Sequence, residues 1–322
     1  MDLQLIKGVC LFLKTERGHN MEKIFKEGEI IIKEGEMGNT FYQLLEGSAT
    51  VYKNYDEKDQ VVIAVLQPGQ YFGEMAVIEK TYPRSTTVVA EGEVKVAEIA
   101  AEELNEYLTQ NPDKILSIMK LLGSRIKTTT ADYNEAKKML DEARKASSSG
   151  KYDSFFNNMI KQSMFLSSKN IRLEKPSVEA LREASEAVSK LNSGDGETYN
   201  YGTIVYKQGE TGKCMYIVHS GSVGLFTNYG AMDEQRISSV EPVACFGEMG
   251  MIADEDRDST AVVQMNDTRV EIIRPEDLEN LFKTSPEKID MILKNLSYRL
   301  RSVTYEYFKA CKEIYESSKK ED

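Results

Sequence analysis

Histidine and cysteine are scarce in this chain of 322 residues, and the few that occur stand far apart. The histidines are His19 and His219, and the cysteines are Cys10, Cys214, Cys245 and Cys311. Neither histidine is flanked by a second histidine or a cysteine, which excludes zinc and iron sites built on clustered imidazoles. Four scattered cysteines without a C-x-x-C pair favour a reduced, cytoplasmic protein. His219 lies in the apolar run MYIVHSGSV, which predicts an ordinary strand residue.

Long apolar runs are also missing, and positive charge is in the minority. No stretch approaches the roughly 18 apolar residues that cross a bilayer, so no membrane span is expected. The opening residues contain one short apolar run and no small-residue cleavage site, which indicates mature protein. Lys and Arg total 41 against 52 Asp and Glu, for a formal net charge of −11. This balance argues against a protein that grips nucleic acid over a broad surface.

The chain contains an internal repeat with an offset of 174 residues. Residues 25–52 align with residues 199–226, and the FGEM segment at 72–75 aligns with the FGEM segment at 246–249. The paired glycines are Gly28 with Gly202, Gly35 with Gly209, Gly38 with Gly212, and Gly47 with Gly221. An alignment without gaps over about a hundred positions indicates two copies of one domain.

Each copy has the pattern of a β-roll followed by a helix. Short β-branched runs, such as 30–32, 61–63 and 86–89, are separated by glycine turns, which is typical of antiparallel strands in a jelly roll. Apolar residues then recur at steps of three and four, as on one helix face. The first stripe is Ile115, Ile118, Leu122, Ile126, Thr129, Tyr133, Ala136 and Leu140; the second is Ile289, Ile292, Leu296, Leu300, Val303, Tyr307, Ala310 and Ile314.

The predicted fold class is therefore α+β, mainly β: two β-rolls of jelly-roll type, each followed by a long C-terminal helix and joined by a helical linker. The expected boundaries are 1–140, 141–195 and 196–322. The polar stretch 146–150 predicts a break between helices. Ser177, after Pro176, is the expected N-cap of a linker helix that ends before residues 192–197. One side of that helix carries Val178, Leu181, Val188 and Leu191.

The FGEM segment carries the functional signal. In the first copy the sequence Phe-Gly-Glu-Met-Ala is followed by Arg-Ser-Thr, with Arg84 ten residues after Glu74. A glycine-spaced β-roll with this segment resembles the cyclic nucleotide-binding domain, a family that includes the catabolite activator protein and the regulatory subunit of cAMP-dependent protein kinase. The resemblance covers residues 25–126 and 199–300. It implies that the first roll holds a cyclic nucleotide as ligand, with no cofactor and no metal.

The resemblance assigns roles in the first copy. Arg84 would hold the phosphate with its charged donor fork, helped by the backbone of Ala76 and Ser85. Glu74 and Gly73 would hold the ribose. The remaining candidates around them are Phe72, Met75 and Thr86. The alternative is that Arg84 and Glu74 form only a surface ion pair.

The base is expected near the end of the roll helix, where the resemblance points to Thr129 and Thr130. Thr129 interrupts an otherwise apolar stripe, and its counterpart in the second copy is Val303. A hydroxyl on a buried face needs a partner, which an adenine amino group would supply. A bond back to its own helix carbonyl is the open alternative. The ligand is cAMP or cGMP, with cAMP preferred.

The second copy departs from the pattern in the alignment without gaps. Asp258 falls on Arg84, and Gln264 falls on Ala90. A phosphate beside Asp258 and Glu248 would face two carboxylates, so impaired phosphate binding is predicted there. One alternative is a loop slip of one residue, which would place Arg257 at the site. The other is an uncharged nucleoside whose 5′-hydroxyl donates a hydrogen bond to Asp258. The candidate residues are Gly247, Glu248, Met249, Gly250, Arg257, Asp258 and Ser259.

Among function classes, a transcription factor would need a DNA-binding helix-turn-helix after the roll, for which the eight residues after Ile314 are too few. A kinase regulatory subunit would need a basic pseudosubstrate segment upstream, and no Arg-Arg pair occurs before residue 25. A metal-dependent jelly-roll enzyme would need clustered histidines. The remaining prediction is a non-enzymatic sensor that signals occupancy to a protein partner as the helix at 115–140 moves. A regulatory-subunit-like or scaffold protein is the alternative.

Overall fold

The chain folds into two compact units that divide between Gln110 and Asn111. The computed structural model describes residues 21–57, 60–79, 83–147, 176–191 and 196–319. The expectations for Cys10, His19 and the opening segment lie outside these ranges, as do most of the predicted helix break at 146–150 and residues 192–195. Within them, no helix is both long enough and apolar enough to cross a bilayer.

The first unit is an antiparallel roll. Its strands are β1 (Met21–Phe25), β2 (Ile30–Ile32), β3 (Thr40–Lys53), β4 (Val61–Leu66), β5 (Tyr71–Phe72) and β6 (Thr87–Ala100). The sheet order is β1-β6-β3-β4, with β2 paired to β6 and β5 paired to β3. Helix α1 (Glu74–Glu79) lies between β5 and β6, and a 3-10 turn at Ala101–Glu103 leads into α2 (Leu104–Gln110). The predicted antiparallel β-roll is confirmed.

The two long strands of this roll bend in the middle so that both halves can close over one core. Gly47 in β3 has φ +84°, and a Cβ there would overlap the carbonyl of Glu93. Irregular register beside it lets β3 change direction, as bulges do. The apolar side chains between the halves include Tyr42, Leu44, Leu66, Phe72, Val88, Val94 and Val96.

Within its described residues, the second unit contains the second roll and three helices longer than ten residues. Its strands are β7 (Glu197–Tyr199), β8 (Ile204–Tyr206), β9 (Met215–Ser220), β10 (Val223–Thr227), β11 (Gln235–Val240), β12 (Ala244–Phe246), β13 (Thr260–Val263) and β14 (Thr268–Ile273). They form two four-stranded sheets, β11-β10-β13-β8 and β12-β9-β14-β7. The helices are α3 (Asp113–Ser147), α4 (Glu179–Ser189), α5 (Glu248–Ile252), α6 (Leu278–Thr284) and α7 (Pro286–Lys319), with a 3-10 turn at Pro275–Asp277.

The two predicted apolar stripes lie on α3 and α7. The far ends of these helices pack together through Ala136, Leu140, Ala310, Cys311 and Ile314, with Tyr133, Met139 and Tyr307 at the edge. Helix α4 begins one residue later than predicted, with Val178 rather than Ser177 as its N-cap. The Ser177 hydroxyl nevertheless accepts a hydrogen bond from the Glu179 backbone N–H at 3.1 Å. Its inner side buries Ala184 and Val188, whereas Val178 precedes the first turn and is exposed.

A buried group of charges ties the second roll to α7. Nε2 of His219, on β9, lies 2.6 Å from a carboxylate oxygen of Glu271, on β14. Nζ of Lys288, in the first turn of α7, lies 2.8 and 2.9 Å from the two oxygens of the same carboxylate. Burial alone would raise the pKa of Glu271, but the hydrogen bonds from His219 and Lys288 outweigh it and lower this pKa. His219 is thus a strand residue, as predicted, and it also holds a carboxylate.

Candidate functional site

The FGEM segment places a helix start directly after a buried strand in each roll. Gly73 adopts φ +78°, a left-handed conformation that glycine takes without a steric penalty. This conformation turns β5 straight into α1, so that the carbonyl of Gly73 faces inward and Glu74 begins the helix. Phe72, Glu74 and Ala76 are buried, and Met75 is half-buried. The second roll repeats this turn at Gly247, with φ +69°.

The first arginine pocket consists of Gly38, Thr40, Gly73 and Arg84. Arg84 is only 8% exposed. Its Nη1 donates to the Gly73 carbonyl at 2.7 Å, and its Nη2 donates to the Thr40 carbonyl and to Thr40 Oγ1. A Cβ at Gly38 would overlap the guanidinium, so only glycine leaves room for it. Arg84 is therefore a buried cation held by backbone carbonyls rather than part of an exposed surface ion pair.

The charge balance around Arg84 favours an anion. Burial lowers the pKa of the Arg84 guanidinium, while Tyr42 and Glu74 raise it in part. An arginine side chain remains charged under such a shift. A buried charge costs free energy that a bound phosphate would recover through paired N–H···O bonds.

The second arginine pocket consists of Gly212, Cys214, Gly247 and Arg257, and it repeats the first contact for contact. Arg257 is 5% exposed. Its Nη1 donates to the Gly247 carbonyl, and its Nη2 donates to the Cys214 carbonyl at 2.8 Å. A Cβ at Gly212 would again overlap the guanidinium. Arg257, and not Asp258, is the counterpart of Arg84.

Backbone hydrogen bonds confirm this correspondence and correct the alignment without gaps. The Arg84 N–H bonds to the carbonyl of Glu36, and the Arg84 carbonyl accepts from Gly35. Arg257 makes the same two bonds with Glu210 and Gly209. The alignment with an offset of 174 is therefore wrong in this stretch.

The shifted register extends into the following strands. Thr87 Oγ1 accepts from the Glu34 N–H at 3.0 Å, and Thr260 Oγ1 accepts from the Gln208 N–H at the same distance. The Ala90 carbonyl accepts from Gly28, as the Val263 carbonyl accepts from Gly202. The spacing from Glu248 to Arg257 is thus one residue shorter than the spacing from Glu74 to Arg84. The original offset returns by Val94 and Thr268, which face the paired glycines Gly47 and Gly221.

In the shifted register, three residues of the second roll have different counterparts in the first roll. Asp258 takes the place of Ser85, and both are exposed. Ser259 takes the place of Thr86; it is 1% exposed and donates to Asp258 Oδ1 at 2.9 Å. Gln264 corresponds to Glu91 rather than to Ala90. Asp258 was predicted to occupy the position equivalent to Arg84, but it is instead the residue directly after Arg257.

In the second roll, the glutamate of the segment is engaged by the final helix. Arg299 on α7 forms an ion pair with the buried carboxylate of Glu248, at the first residue of α5. Met249 is half-buried and Gly250 is buried in the same turn. The ion pair connects the FGEM segment of the second roll to a helix of 34 residues.

Other predicted residues are placed less directly. The Ser85 carbonyl accepts a hydrogen bond from Lys53 Nζ at 3.0 Å, and Thr86 is half-buried. Thr129 and Thr130 are half-buried on α3, which belongs to the second unit, so their proposed contact with a base stays a prediction. The helix-carbonyl bond that was considered for Thr129 is made by its neighbour Thr128, to Ser124.

Sequence reasoning missed two carbonyl groups that accept hydrogen bonds from the arginines, those of Thr40 and Cys214, and it missed the role of Arg299. The paired glycines Gly38 and Gly212 were a usable signal, because they recur at the same place in both copies. No pattern indicated that they make room for a guanidinium. Among the described residues, no group of three His, Cys, Asp or Glu side chains is placed to hold a metal ion.

Comparison with known proteins gives the same division of the chain. The profile of the family described as "Cyclic nucleotide-binding domain" matches residues 22–111 and 197–285, more than half of the chain. A cGMP-dependent protein kinase of Plasmodium berghei is 43% identical over 84 residues, which are 26% of this chain and 9% of the kinase. The cAMP-activated global transcriptional regulator CRP of Pasteurella multocida is 27% identical over 100 residues, 31% of this chain and 48% of the regulator.

The chain thus spans less than half the length of either relative. Among solved structures, the regulatory domain of Toxoplasma gondii PKA with cAMP has 18% sequence identity. The match covers 86% of this chain and 84% of that one, with a TM-score of 0.27. The two profile matches are decisive, and with an arginine pocket in each matched roll the chain belongs to the cyclic nucleotide-binding domain family.

Proposed function

We propose that this protein is a cyclic nucleotide sensor in which both rolls bind the ligand through a buried arginine. The observation that carries the proposal is the repeated pocket: Arg84 and Arg257 are both buried and both held by two backbone carbonyls at the end of a matched FGE turn. A fork of N–H donors in a sheltered site suits the single charge of a cyclic phosphate. The basis for an impaired second roll was the misaligned Asp258, so we propose binding in both.

Two contacts connect α5, the helix of the FGEM segment in the second roll, to the long helices, so ligand binding there could move these helices. The ion pair of Arg299 with Glu248 connects α5 to α7. In the other contact, Ile252 of α5 packs on Gly123 of α3, where a Cβ would lie 2.7 Å from Ile252 Cγ1. Because α3 follows the first roll in sequence, a movement of α5 on ligand binding would reach the segment that joins the two rolls. A ligand shifts such an equilibrium only by its differential affinity for the two states.

We propose cAMP as the preferred ligand, and cGMP is the matched competitor. The relatives carry names of both kinds, one cAMP-activated and one cGMP-dependent. The match to the cAMP-activated regulator covers 31% of this chain, against 26% for the cGMP-dependent kinase, and this supports cAMP as the first ligand to test. We further propose that the nucleotide is released unchanged and that the downstream reader is a protein partner of the long helices rather than a nucleic acid.

Calorimetric titration of the full chain tests the proposal. With cAMP, the unaltered protein should show two sites, and Arg84→Ala and Arg257→Ala should each show one. The double variant should show none, since each loss of a buried charge-assisted contact costs on the order of 2–5 kcal/mol. Arg236→Ala on exposed β11 is the matched control and should keep both sites. Unchanged binding by the double variant would refute the proposal.

Two further arms use the same protein. Titration with cGMP and with adenosine compares the bases and removes the phosphate; if adenosine binds the second roll and Asp258→Ala abolishes this, the nucleoside alternative holds there. Chromatography of cAMP after long incubation should recover it intact. Linear nucleotide that is formed by the unaltered chain but not by the double variant would contradict a pure sensor.

A further inference from the structure

The cation of the second roll lies on an aromatic surface. Cζ of Arg257 is 4.4 Å from the ring centroid of Tyr206 and 5.5 Å from that of Tyr216. Phe246 stacks on both rings, with centroid distances of 6.0 and 5.0 Å. Distances within about 6 Å of a ring face give a cation–π attraction, which is strongest where water is excluded.

The first roll has an aliphatic side chain at the same place. A Cβ at Gly73 would lie 2.7 Å from Ile32 Cδ1, and a Cβ at Gly247 would lie 3.1 Å from Tyr206 Cε1. Ile32 is the last residue of β2, and Tyr206 is the last residue of β8. The two positions are equivalent in the repeat. The two pockets therefore have equivalent carbonyl acceptors but a different surface beneath the guanidinium.

The opposite side of the guanidinium changes in the reverse sense. Ala76 in the first roll is replaced by Gly250 in the second. A Cβ at Gly250 would lie 2.9 Å from Nη1 and 3.2 Å from Cζ of Arg257, and it would overlap the Gly212 carbonyl. A larger residue on one side is thus matched by a smaller residue on the other, which indicates that the guanidinium is fitted between them.

The ring is itself fixed. Tyr206 is 6% exposed, and its hydroxyl is hydrogen-bonded to Ser259. Burial raises the pKa of Tyr206 to about 12, so the ring stays neutral at physiological pH. Within the described part of the chain, Nε of Arg257 is buried without a hydrogen-bond partner. The Tyr206 ring covers one face of the guanidinium. The Nε–H donor at its edge is left for a ligand.

We infer that Tyr206, with Gly250 opposite, is a positioning residue for the phosphate-binding cation of the second roll. The inference rests on the proposed function of Arg257. The ring holds the plane of the guanidinium by its face and leaves the N–H edge directed at the phosphate. Such preorganisation lowers the cost of ordering the side chain on binding, so the ring tightens the binding of ligands that carry a phosphate.

The test uses the full chain with Arg84→Ala, so that calorimetry with cAMP reports the second roll alone. Tyr206→Ile, which copies the first roll, should raise the dissociation constant roughly ten- to thirtyfold, the range of a desolvated cation–π contact. Tyr206→Phe keeps the ring face and should stay within about threefold of the parent. Thermal unfolding of each variant, without ligand, shows whether the roll is intact.

A reciprocal variant keeps the inference falsifiable if Tyr206→Ile does not fold. Ile32→Tyr with Ala76→Gly, in a chain with Arg257→Ala, transfers the arrangement to the first roll and should lower its dissociation constant. A folded Tyr206→Ile within twofold of the parent would overturn the inference, as would Tyr206→Phe as weak as Tyr206→Ile. If the Arg84→Ala parent binds no cAMP, the proposed function of the second roll has failed instead.

Discussion

A methyl group placed beside either arginine should abolish the phosphate site without removing the cation. Gly38 and Gly212 have backbone conformations open to alanine, since neither has a positive φ. A Cβ at Gly212 would nevertheless overlap Nε, Cζ and Nη2 of Arg257, and one at Gly38 would overlap the same group of Arg84. The guanidinium is enclosed by carbonyls and by Tyr206, so it has to leave its position.

The size of the effect follows from what the guanidinium loses. Displacement breaks its two charge-assisted hydrogen bonds to carbonyls, each worth about 1.5–3 kcal/mol. It also takes the donor fork out of line with the ligand phosphate. We expect Gly212→Ala to weaken binding at the second roll by about 2–3 kcal/mol, or roughly 30- to 150-fold. Gly38→Ala should do the same at the first roll.

Calorimetry with cAMP on the full chain measures both effects, because each variant should lose one site and keep the other. Gly202→Asn is the control: it has φ +81° and no atom within 4 Å of an added Cβ, and asparagine tolerates that conformation. It should retain both sites. Normal affinity at the second roll in a folded Gly212→Ala would show that Arg257 does not bind the phosphate from the position described.

Two other perturbations probe charges in the second roll. Asp258→Ser copies Ser85 and should tighten binding of an anionic nucleotide there by roughly two- to fivefold at low salt; titration at two salt concentrations checks this, and equal gains at both would contradict an electrostatic origin. Glu271→Gln removes the carboxylate that faces Lys288 and His219 and should lower the free energy of unfolding by about 3–5 kcal/mol at neutral pH. Because the pKa of Glu271 is lowered by folding, its contribution is present above its ordinary pKa and is lost as the pH falls through the lowered value. Urea unfolding from pH 7 to pH 3 should therefore show a loss of stability that is smaller in Glu271→Gln, and parallel losses would contradict it.

The sequence by itself determined the repeat, the two β-rolls, their long helices and the first binding segment. These features depend on local patterns: glycines at positions that need left-handed backbone or a missing Cβ, β-branched runs for strands, and apolar steps of three and four on α3 and α7. The phosphate role predicted for Arg84 came from the resemblance of the FGEM segment and the following Arg-Ser-Thr to the family pattern. Patterns of this kind recur in both copies and can be recognised in the sequence without knowing which distant residues are in contact.

Only the tertiary structure decided which residue of the second roll is the cation. One residue is missing before Arg257 and is restored before Thr268, yet the run Ser-Thr-Ala-Val-Val at 259–263 is identical to the first copy at four positions without a gap and at only two in the shifted register. The sequence therefore favoured Asp258, with Arg257 as the alternative. Pairing across the roll removes that freedom, since the Arg257 backbone bonds to Gly209 and Glu210, and a shift by one would turn each side chain to the other face.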